Sequence, residues 1–163
     1  DPGAIINEAN RLFPLPQDGE YFTLWVGRLD ISSRMLSYAT AGHGGAFLQA
    51  AGNGSRWLSM ASLPLGFDPH STFESMHSPL LSSDRLYLFS DGIYEAPSPT
   101  GELWGRERLQ ASLEAHRSHS LAQSIAGTMA TARQWLAGDV FPDDVALLGF
   151  EMLESPTCKK ERV

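Results

Sequence analysis

Residues 85–96 have the sequence RLYLFSDGIYEA, and this stretch decides how the rest of the chain is interpreted. Its first half is rich in aromatic and apolar residues, which predicts a strand from Arg85 to Ser90. Asp91 and Gly92 follow directly, and Asp-Gly is a common turn pair. A carboxylate at a strand end is held by the sheet while its oxygens can still face a cleft. Asp91 is therefore a candidate ligand for a hard divalent cation such as Mg²⁺ or Mn²⁺.

A second acidic pair, Asp143 and Asp144, lies directly before the apolar run VALLGF, residues 145–150. This run predicts another strand that meets a turn carrying carboxylates. Two carboxylates completed by waters suit the octahedral preference of Mg²⁺, although they make a weak site by themselves. The same residue types also fit turns in which aspartate side chains bond the backbone and no metal binds. Spacing alone leaves both interpretations open.

The sequence before Arg85 predicts one helix and a series of short strands. Asp1 and Pro2 are a favourable helix start, because aspartate caps the first turn and proline suits the first helical position. Apolar residues then recur at helical spacing until Pro14 and Pro16 stop the helix. The predicted strands cover residues 21–30, 34–41, 46–50, 56–60 and 72–78.

The sequence after residue 105 predicts two helices and a final strand. Leu109 and Leu113 mark one face of the first helix, with His116 as a further member. Ser120 and Gln123 form a capping box that opens the second helix, which Gly138 closes. The predicted buried face of this helix is Leu121, Ile125, Met129, Ala132, Trp135 and Leu136. With a final strand in residues 143–153, the segregated order favours an α+β fold with a largely antiparallel sheet.

The composition excludes several classes of protein. The chain has 163 residues, is 42% hydrophobic and carries a formal net charge of -7. It has no basic face, so nucleic acid is not an expected partner. No apolar run approaches the roughly 20 residues that span a bilayer, so no membrane association is expected. The single cysteine, Cys158, excludes an internal disulfide framework and fits a reducing compartment.

His43 lies in the glycine-rich segment AGHGG, residues 41–45, between two predicted strands. Histidine titrates near neutral pH, so His43 is a candidate general acid or substrate-positioning group. The alternative, which the residue types favour, is a hairpin turn whose histidine is solvated or caps the backbone. The remaining histidines have no ligand spacing with one another and are expected at the surface: His70, His77, His116 and His119.

Taken in order, these segments resemble the SpoIIE/RsbU-type branch of the PPM (protein phosphatase 2C-like) serine/threonine phosphatases. The resemblance extends from Asp1 to about Leu153. Its most specific part is residues 84–109, where the strand, Ser-Asp-Gly, Glu-Ala and Trp-Gly-x-x-x-Leu occur in the family's order. The segments that carry it are DPGAIINEANRLF (1–13), YFTLWVGRLD (21–30), YATAGHGGAFL (38–48), SLPLGF (62–67), DRLYLFSDGIYEAPSPTGELWGRERL (84–109) and FPDDVALLGF (141–150).

The resemblance implies an αββα sandwich, an antiparallel β-sandwich flanked by helices, with a two-metal Mn²⁺ or Mg²⁺ site. It assigns metal binding to Asp91 and Asp143, with Asp144 as a weaker candidate that orients the turn. It assigns the tight turn to Gly92. His43 matches a family motif that usually continues with proline, and it is carried over only as part of the site's surroundings.

One departure from the family affects the metal site. The family's first metal motif, Asp-x-x-Gly, precedes the opening helix and is absent here. An N-terminally incomplete domain is therefore expected over residues 1–153. A polar tail, residues 154–163, is expected to follow it. Three explanations remain open: removed upstream residues, a degenerate phosphatase, or a replacement carboxylate from Glu95 or Asp84. The first is favoured, because the retained motifs are intact, and the loss of strands would promote homo-oligomers.

The resemblance implies hydrolysis of a phosphoserine or phosphothreonine by metal-activated water, in a cytoplasmic bacterial signalling protein. The implied substrate is a phosphorylated regulatory protein such as an anti-anti-sigma factor, and a sensor or receiver domain is expected upstream. An alternative is a catalytically inactive module that binds or sequesters the same regulatory protein. An unrelated α+β domain with acidic turns is a third interpretation, and it predicts no dependence of stability on divalent metal.

Overall fold

The computed structural model describes residues 1–15, 19, 21–52, 54–136, 138 and 140–154. Helices and strands follow the order expected from the sequence, with a helix first, then strands, a helix pair and a last strand. The helices are α1 (Pro2–Leu12), α2 (Gly105–Ala115) and α3 (Leu121–Trp135). The strands are β1 (Leu24–Asp30), β2 (Met35–Ala41), β3 (Ala46–Gln49), β4 (Arg56–Leu58), β5 (Met76–Pro79), β6 (Arg85–Phe89) and β7 (Leu147–Glu151).

The strands form two antiparallel sheets that pack face to face. One sheet has the order β1-β2-β5 and the other has the order β4-β3-β6-β7. Helix α1 covers the outer face of the first sheet, and α2 and α3 cover the outer face of the second. The expected αββα sandwich is therefore confirmed.

The central strands bury side chains on both of their faces, which explains their nearly continuous apolar sequences. In β2, Leu36 and Tyr38 face the other sheet, whereas Ala39 packs under α1. In β6, Leu86 lies between the sheets, whereas Tyr87 packs under the helix pair. Alternate residues of a strand point to opposite faces, so each of these strands contributes to two hydrophobic layers.

The helix pair is anchored to β6 by a mixture of apolar and polar contacts. Leu109 and Leu113 of α2 are fully buried, as predicted. In α3 the fully buried positions include Ser124, whose hydroxyl lies 3.0 Å from the Tyr87 hydroxyl. The predicted buried face of α3 is therefore only partly right. Ala132 is fully buried, whereas the larger predicted residues are half-buried around the core. These are Leu121, Ile125, Met129, Trp135 and Leu136. Small residues are innermost because they let α3 approach the sheet closely.

Three predicted strands begin three or more residues away from the observed start, and the other bounds differ by no more than two residues. β1 begins at Leu24 instead of Tyr21, because Leu24 already pairs with Ala41, the last residue of β2. β5 is shorter and later than predicted, since its four residues pair only with the first half of β2. β7 begins at Leu147 opposite Phe89, so residues 143–146 lie in a bent loop before the strand.

Some sequence predictions fall outside the described residues. Pro16, the second predicted helix stop, is one of them, and so is the tail after Glu154 with Cys158. Within the part that is described, no helix is long and apolar enough to cross a membrane.

Candidate active site

Asp91 lies where β6 ends, at the start of a short 3-10 turn, Asp91–Ile93. Its backbone carbonyl accepts hydrogen bonds from the amides of Tyr94 (3.0 Å) and Glu95 (2.9 Å). The turn therefore satisfies the backbone carbonyl of Asp91, and the residue itself is exposed to solvent. The sheet fixes the backbone of Asp91, and the carboxylate is accessible to a ligand.

Pairing of β6 with β7 brings the second acidic turn to the same sheet edge. Ser90 is the residue that joins them: its amide donates to the Ala146 carbonyl (3.1 Å). Its hydroxyl donates to the Asp144 carbonyl (2.9 Å) and accepts from the Ala146 amide (2.8 Å). These three bonds hold the turn that contains Asp143 against the end of β6.

Gly92 allows the two turns to approach more closely than any other residue would. A Cβ atom at Gly92 would lie 2.6 Å from the Asp144 carbonyl oxygen and 3.4 Å from the Cβ of Asp143. The first distance is shorter than a van der Waals contact, so a side chain here would force the turns apart. The structure thus brings the pair Asp91 and Gly92 together with the pair Asp143 and Asp144, although the two pairs are some 50 residues apart in sequence.

The donor set at this edge suits part of the ligand shell of a hard cation. Asp91, Asp143 and Asp144 are all exposed, and Asp143 Oδ1 accepts the Asp144 amide at 2.7 Å. Mg²⁺ is commonly held by one or two carboxylates with waters. Within the described residues, no group of three or more His, Cys, Asp or Glu side chains forms a metal site. Asp91 and Asp143 are two exposed carboxylates at this edge whose oxygens are of the type that such a cation takes.

The two replacement carboxylates suggested by the sequence have different outcomes. The prediction of Asp84 as a replacement ligand is wrong, because Asp84 is buried and lies before β6, at the opposite end of the strand from Asp91. Its carboxylate accepts the amides of Ala51 and Leu81, both at 2.8 Å, so it has a structural role. Glu95 is exposed and lies one turn beyond Asp91, so it remains near the acidic edge.

The structure places His43 beside Asp91, but its ring is engaged by the backbone. His43 Nδ1 accepts the Gly45 amide at 2.9 Å, and the ring also hydrogen-bonds the backbone of Phe89. Burial lowers the pKa of His43, against the raising effects of the Phe89 carbonyl and the charge of Asp91. The backbone-capping interpretation of His43 thus describes its contacts, and the same contacts tie the loop 42–45 to the end of β6.

Sequence reasoning missed Tyr94 and Arg106, which lie near His43. The hydroxyl of Tyr94 is 2.7 Å from the position that a Cβ at Gly44 would take. Burial raises the pKa of Tyr94, and so do the charges of Asp91 and Glu95. Arg106 acts electrostatically on both His43 and Tyr94. The only sequence signal for Arg106 is its position in the Trp-Gly-x-x-x-Leu motif, which does not reveal where the side chain lies.

The other histidines lie elsewhere in the described structure. His70 and His77 are exposed on loop and edge-strand positions, as expected. His116 and His119 lie near the junction of α2 and α3 with ring centroids 5.5 Å apart. The surface assignment was only partly right for His116, which is half-buried: its ring lies against Gly127 of α3, and its Nδ1 bonds the Ser112 carbonyl at 2.8 Å.

The comparison with protein families decides how this site is classified. The family model described as "Stage II sporulation protein E (SpoIIE)" matches residues 1–153. This chain belongs to the SpoIIE family. The sequence resemblance to SpoIIE/RsbU-type PPM domains is therefore confirmed.

Two curated relatives align with only part of this SpoIIE-family chain, and the alignment also spans only part of their own length. "Protein IcfG" of Synechocystis sp. is 35% identical over 60% of this chain and 16% of its own length. "Phosphoserine phosphatase RsbU" of Bacillus subtilis is 25% identical over 76% of this chain and 37% of its own length. The chain thus spans well under half the length of these relatives.

Solved structures give the same fold. The SiaA-PP2C domain of Pseudomonas aeruginosa matches with a TM-score of 0.78 and 22% identity over 93% of this chain and 60% of that one. The phosphatase domain of SpoIIE from Bacillus subtilis, presoaked with Mn, matches with a TM-score of 0.64 and 20% identity over 94% of this chain and 66% of that one. At such identities the match concerns the PP2C-type fold alone.

Proposed function

We propose that this SpoIIE-family chain is the effector domain of a bacterial signalling protein and removes phosphate from phosphoserine or phosphothreonine of a regulatory protein. The observation that carries the proposal is the junction of two acidic turns, where Gly92 lies against Asp143 and Asp144 and leaves Asp91 beside them. Family membership supports phosphatase chemistry at this edge, and the name of RsbU supports phosphoserine as its target.

Asp91 and Asp143 would hold the Mn²⁺ or Mg²⁺ ions, because both are exposed carboxylates at fixed strand ends. Asp144 orients the turn through its backbone bonds with Ser90 and Asp143. When bound, the ions lower the pKa of water and offset charge on a phosphoryl group. The chain itself holds the backbones of the two turns together through Ser90 and Gly92.

The overall reaction is hydrolysis of a phosphate monoester. A water oxygen forms a bond to phosphorus, and the bond between phosphorus and the serine or threonine oxygen breaks. The products are inorganic phosphate and the free hydroxyl. His43 acts as a positioning residue in this scheme, because its Nδ1 accepts the Gly45 amide and the ring is thereby held by the backbone.

The proposed partner is a phosphorylated regulatory protein of the bacterial cytoplasm, such as an anti-anti-sigma factor. A sensor or receiver domain would lie upstream of this domain in the same protein. The open sheet edges of this domain would allow it to self-associate. RsbU, a phosphoserine phosphatase by name, supports the phosphorylated serine in this proposal, and the rest follows from the family resemblance. One observation favours a second function, a catalytically inactive module that binds the same protein: the described residues contain no metal-binding group of three or more side chains.

The first prediction tests the carboxylates. Asp91→Asn and Asp143→Asn should each reduce Mn²⁺-dependent hydrolysis of p-nitrophenyl phosphate more than about a hundredfold, because each removes a charged ligand. Circular dichroism should show an unchanged fold, since both side chains are exposed. Asp30→Asn is the matched control, because Asp30 is an exposed aspartate at the end of β1, directly before a turn.

The assay uses both this chain and its full-length gene product. Turnover that is lost in Asp91→Asn and Asp143→Asn but kept in Asp30→Asn supports the phosphatase. Near-normal turnover in either site variant contradicts the ligand assignment. Absence of turnover in both proteins, combined with binding of the phosphorylated partner, favours the inactive module.

A further inference from the structure

We propose that Arg106 binds the phosphoryl group of the substrate and is the cationic side of the recognition site next to Asp91. The inference rests on the proposed function, since it assigns a recognition residue to the same reaction. Three observations support the inference: the position of Arg106, the stacking of its guanidinium on an aromatic ring, and the lack of a carboxylate partner for it among the described residues.

Arg106 is held in place by a flat aromatic support. Its guanidinium lies 4.0 Å from the centroid of the Trp57 ring. Trp57 is itself fixed, because its indole nitrogen donates to Gln110 Oε1 at 2.8 Å and its ring packs edge-on against Phe89 at 5.4 Å. A stacked guanidinium keeps its N–H groups directed outward around its rim, where they can bind oxygen atoms in a planar, two-pronged manner.

Arg108, two residues later on α2, shows what a structurally paired arginine looks like in this protein. It also stacks on a tryptophan, with its guanidinium 4.2 Å from the Trp135 ring centroid. In addition it forms an ion pair with Glu102 at 2.6 Å and bonds the Leu103 and Trp104 carbonyls. Arg106 forms no such ion pair or hydrogen bond within the described part of the chain, so its N–H groups remain available to an anion.

The position of Arg106 is set by the loop that follows the 3-10 turn. The Gly105 amide donates to the Tyr94 carbonyl at 2.7 Å, and the Trp104 amide donates to the Ala96 carbonyl at 2.9 Å. These bonds fold residues 94–105 back on themselves and bring the first turn of α2 beside the end of β6. Arg106 and Asp91 consequently both act electrostatically on His43 and on Tyr94.

An unpaired, partly desolvated cation is costly unless a ligand compensates for it. Arg106 is half-buried, so water is partly excluded from it, and this burial lowers its pKa. The neighbouring acidic edge, with Asp91, Asp143 and Asp144, repels a phosphate dianion, and the chain as a whole carries a net charge of -7. A fixed guanidinium beside that edge gives the dianion a complementary partner of the kind that phosphate prefers.

The test compares Arg106→Gln with Arg106→Lys and with Arg108→Gln as the matched control in the full-length gene product. We measure KM and kcat for p-nitrophenyl phosphate, and separately the affinity for inorganic phosphate by ³¹P NMR in Mg²⁺. Arg106→Gln should raise KM and the phosphate Kd by roughly tenfold to a hundredfold, the range for a lost hydrogen bond to a charged group. Arg106→Lys should be intermediate, since lysine keeps the charge without the planar fork.

Arg108→Gln should leave both constants unchanged, although it loses the same kind of stacking on tryptophan. If the parent protein hydrolyses the ester and Arg106→Gln behaves like Arg108→Gln, the inference is overturned while the proposed function stands. If the parent does not hydrolyse the ester but binds phosphate in an Arg106-dependent manner, the inference stands and the proposed function fails. If the parent neither hydrolyses the ester nor binds phosphate, both are overturned.

Discussion

Gly92 shows how a single residue controls the geometry of the candidate site. Its missing side chain lets the 3-10 turn lie directly on the backbone of Asp144, and Ser90 then links the same two turns with its hydroxyl. The distance between the two proposed ligands, Asp91 and Asp143, therefore depends on backbone contacts rather than on contacts between the carboxylates. A change that separates the turns should affect metal binding without touching either ligand.

We expect Gly92→Ala to lower both stability and activity. A Cβ atom at this position would lie 2.6 Å from the Asp144 carbonyl oxygen, and relieving that overlap should cost about 1–3 kcal/mol. Urea unfolding gives the stability, and hydrolysis as a function of Mn²⁺ concentration gives the metal affinity. Gly52→Ala is the control, because a Cβ there meets no atom within 4 Å. Equal behaviour of the two variants would contradict the close-approach argument.

At the scale of elements, α2 both supports the second sheet and presents Arg106. Its inner face buries Leu113 completely, and the Leu113 carbonyl accepts Gln49 Nε2 from β3 at 2.9 Å. Its first turn is fastened to Tyr94 through the Gly105 amide. Packing at one end of α2 thus fixes the position of the functional residue at the other.

Leu113→Ala should cost about 2–5 kcal/mol of unfolding free energy, because it leaves a cavity in a fully buried position. Leu148→Ala is the matched control, since Leu148 is 64% exposed and its truncation should stay within about 0.5 kcal/mol. Both are measured by urea unfolding. Similar losses in the two variants would show that α2 is not packed as described.

At the scale of the whole molecule, the acidic edge joins β6 and β7, two strands that are distant in sequence, so a bound cation should stabilise the complete fold. If Asp91 and Asp143 bind Mn²⁺, a concentration about a hundredfold above the Kd should add about 2.7 kcal/mol of stability. For a domain of this size, that corresponds to a Tm increase of roughly 5–10 °C. The increase should vanish in Asp143→Asn. A Tm that does not respond to Mn²⁺ in the parent protein would contradict the metal site and favour the interpretation of plain acidic turns.

The sequence by itself determined the kind and order of the elements, because these follow from local patterns. Aromatic and apolar runs gave the strands, and Asp1 and Ser120 capped helices as predicted, with the Ser120–Gln123 capping box formed. Strand ends were less well predicted. The start of β1 depends on where its partner β2 ends, which residues 21–23 do not encode.

The tertiary structure decided which of the candidate residues meet. Asp84 and Asp91 flank the same strand, and only the length of β6 separates a buried structural carboxylate from an exposed one at the site edge. Asp143 and Asp144 reach Gly92 through pairing of β6 with β7, a contact between distant parts of the sequence. Arg106 reaches the same region through backbone bonds of its own loop. Local patterns specify elements, whereas a site made from several elements requires their packing, and periodicity does not encode that packing.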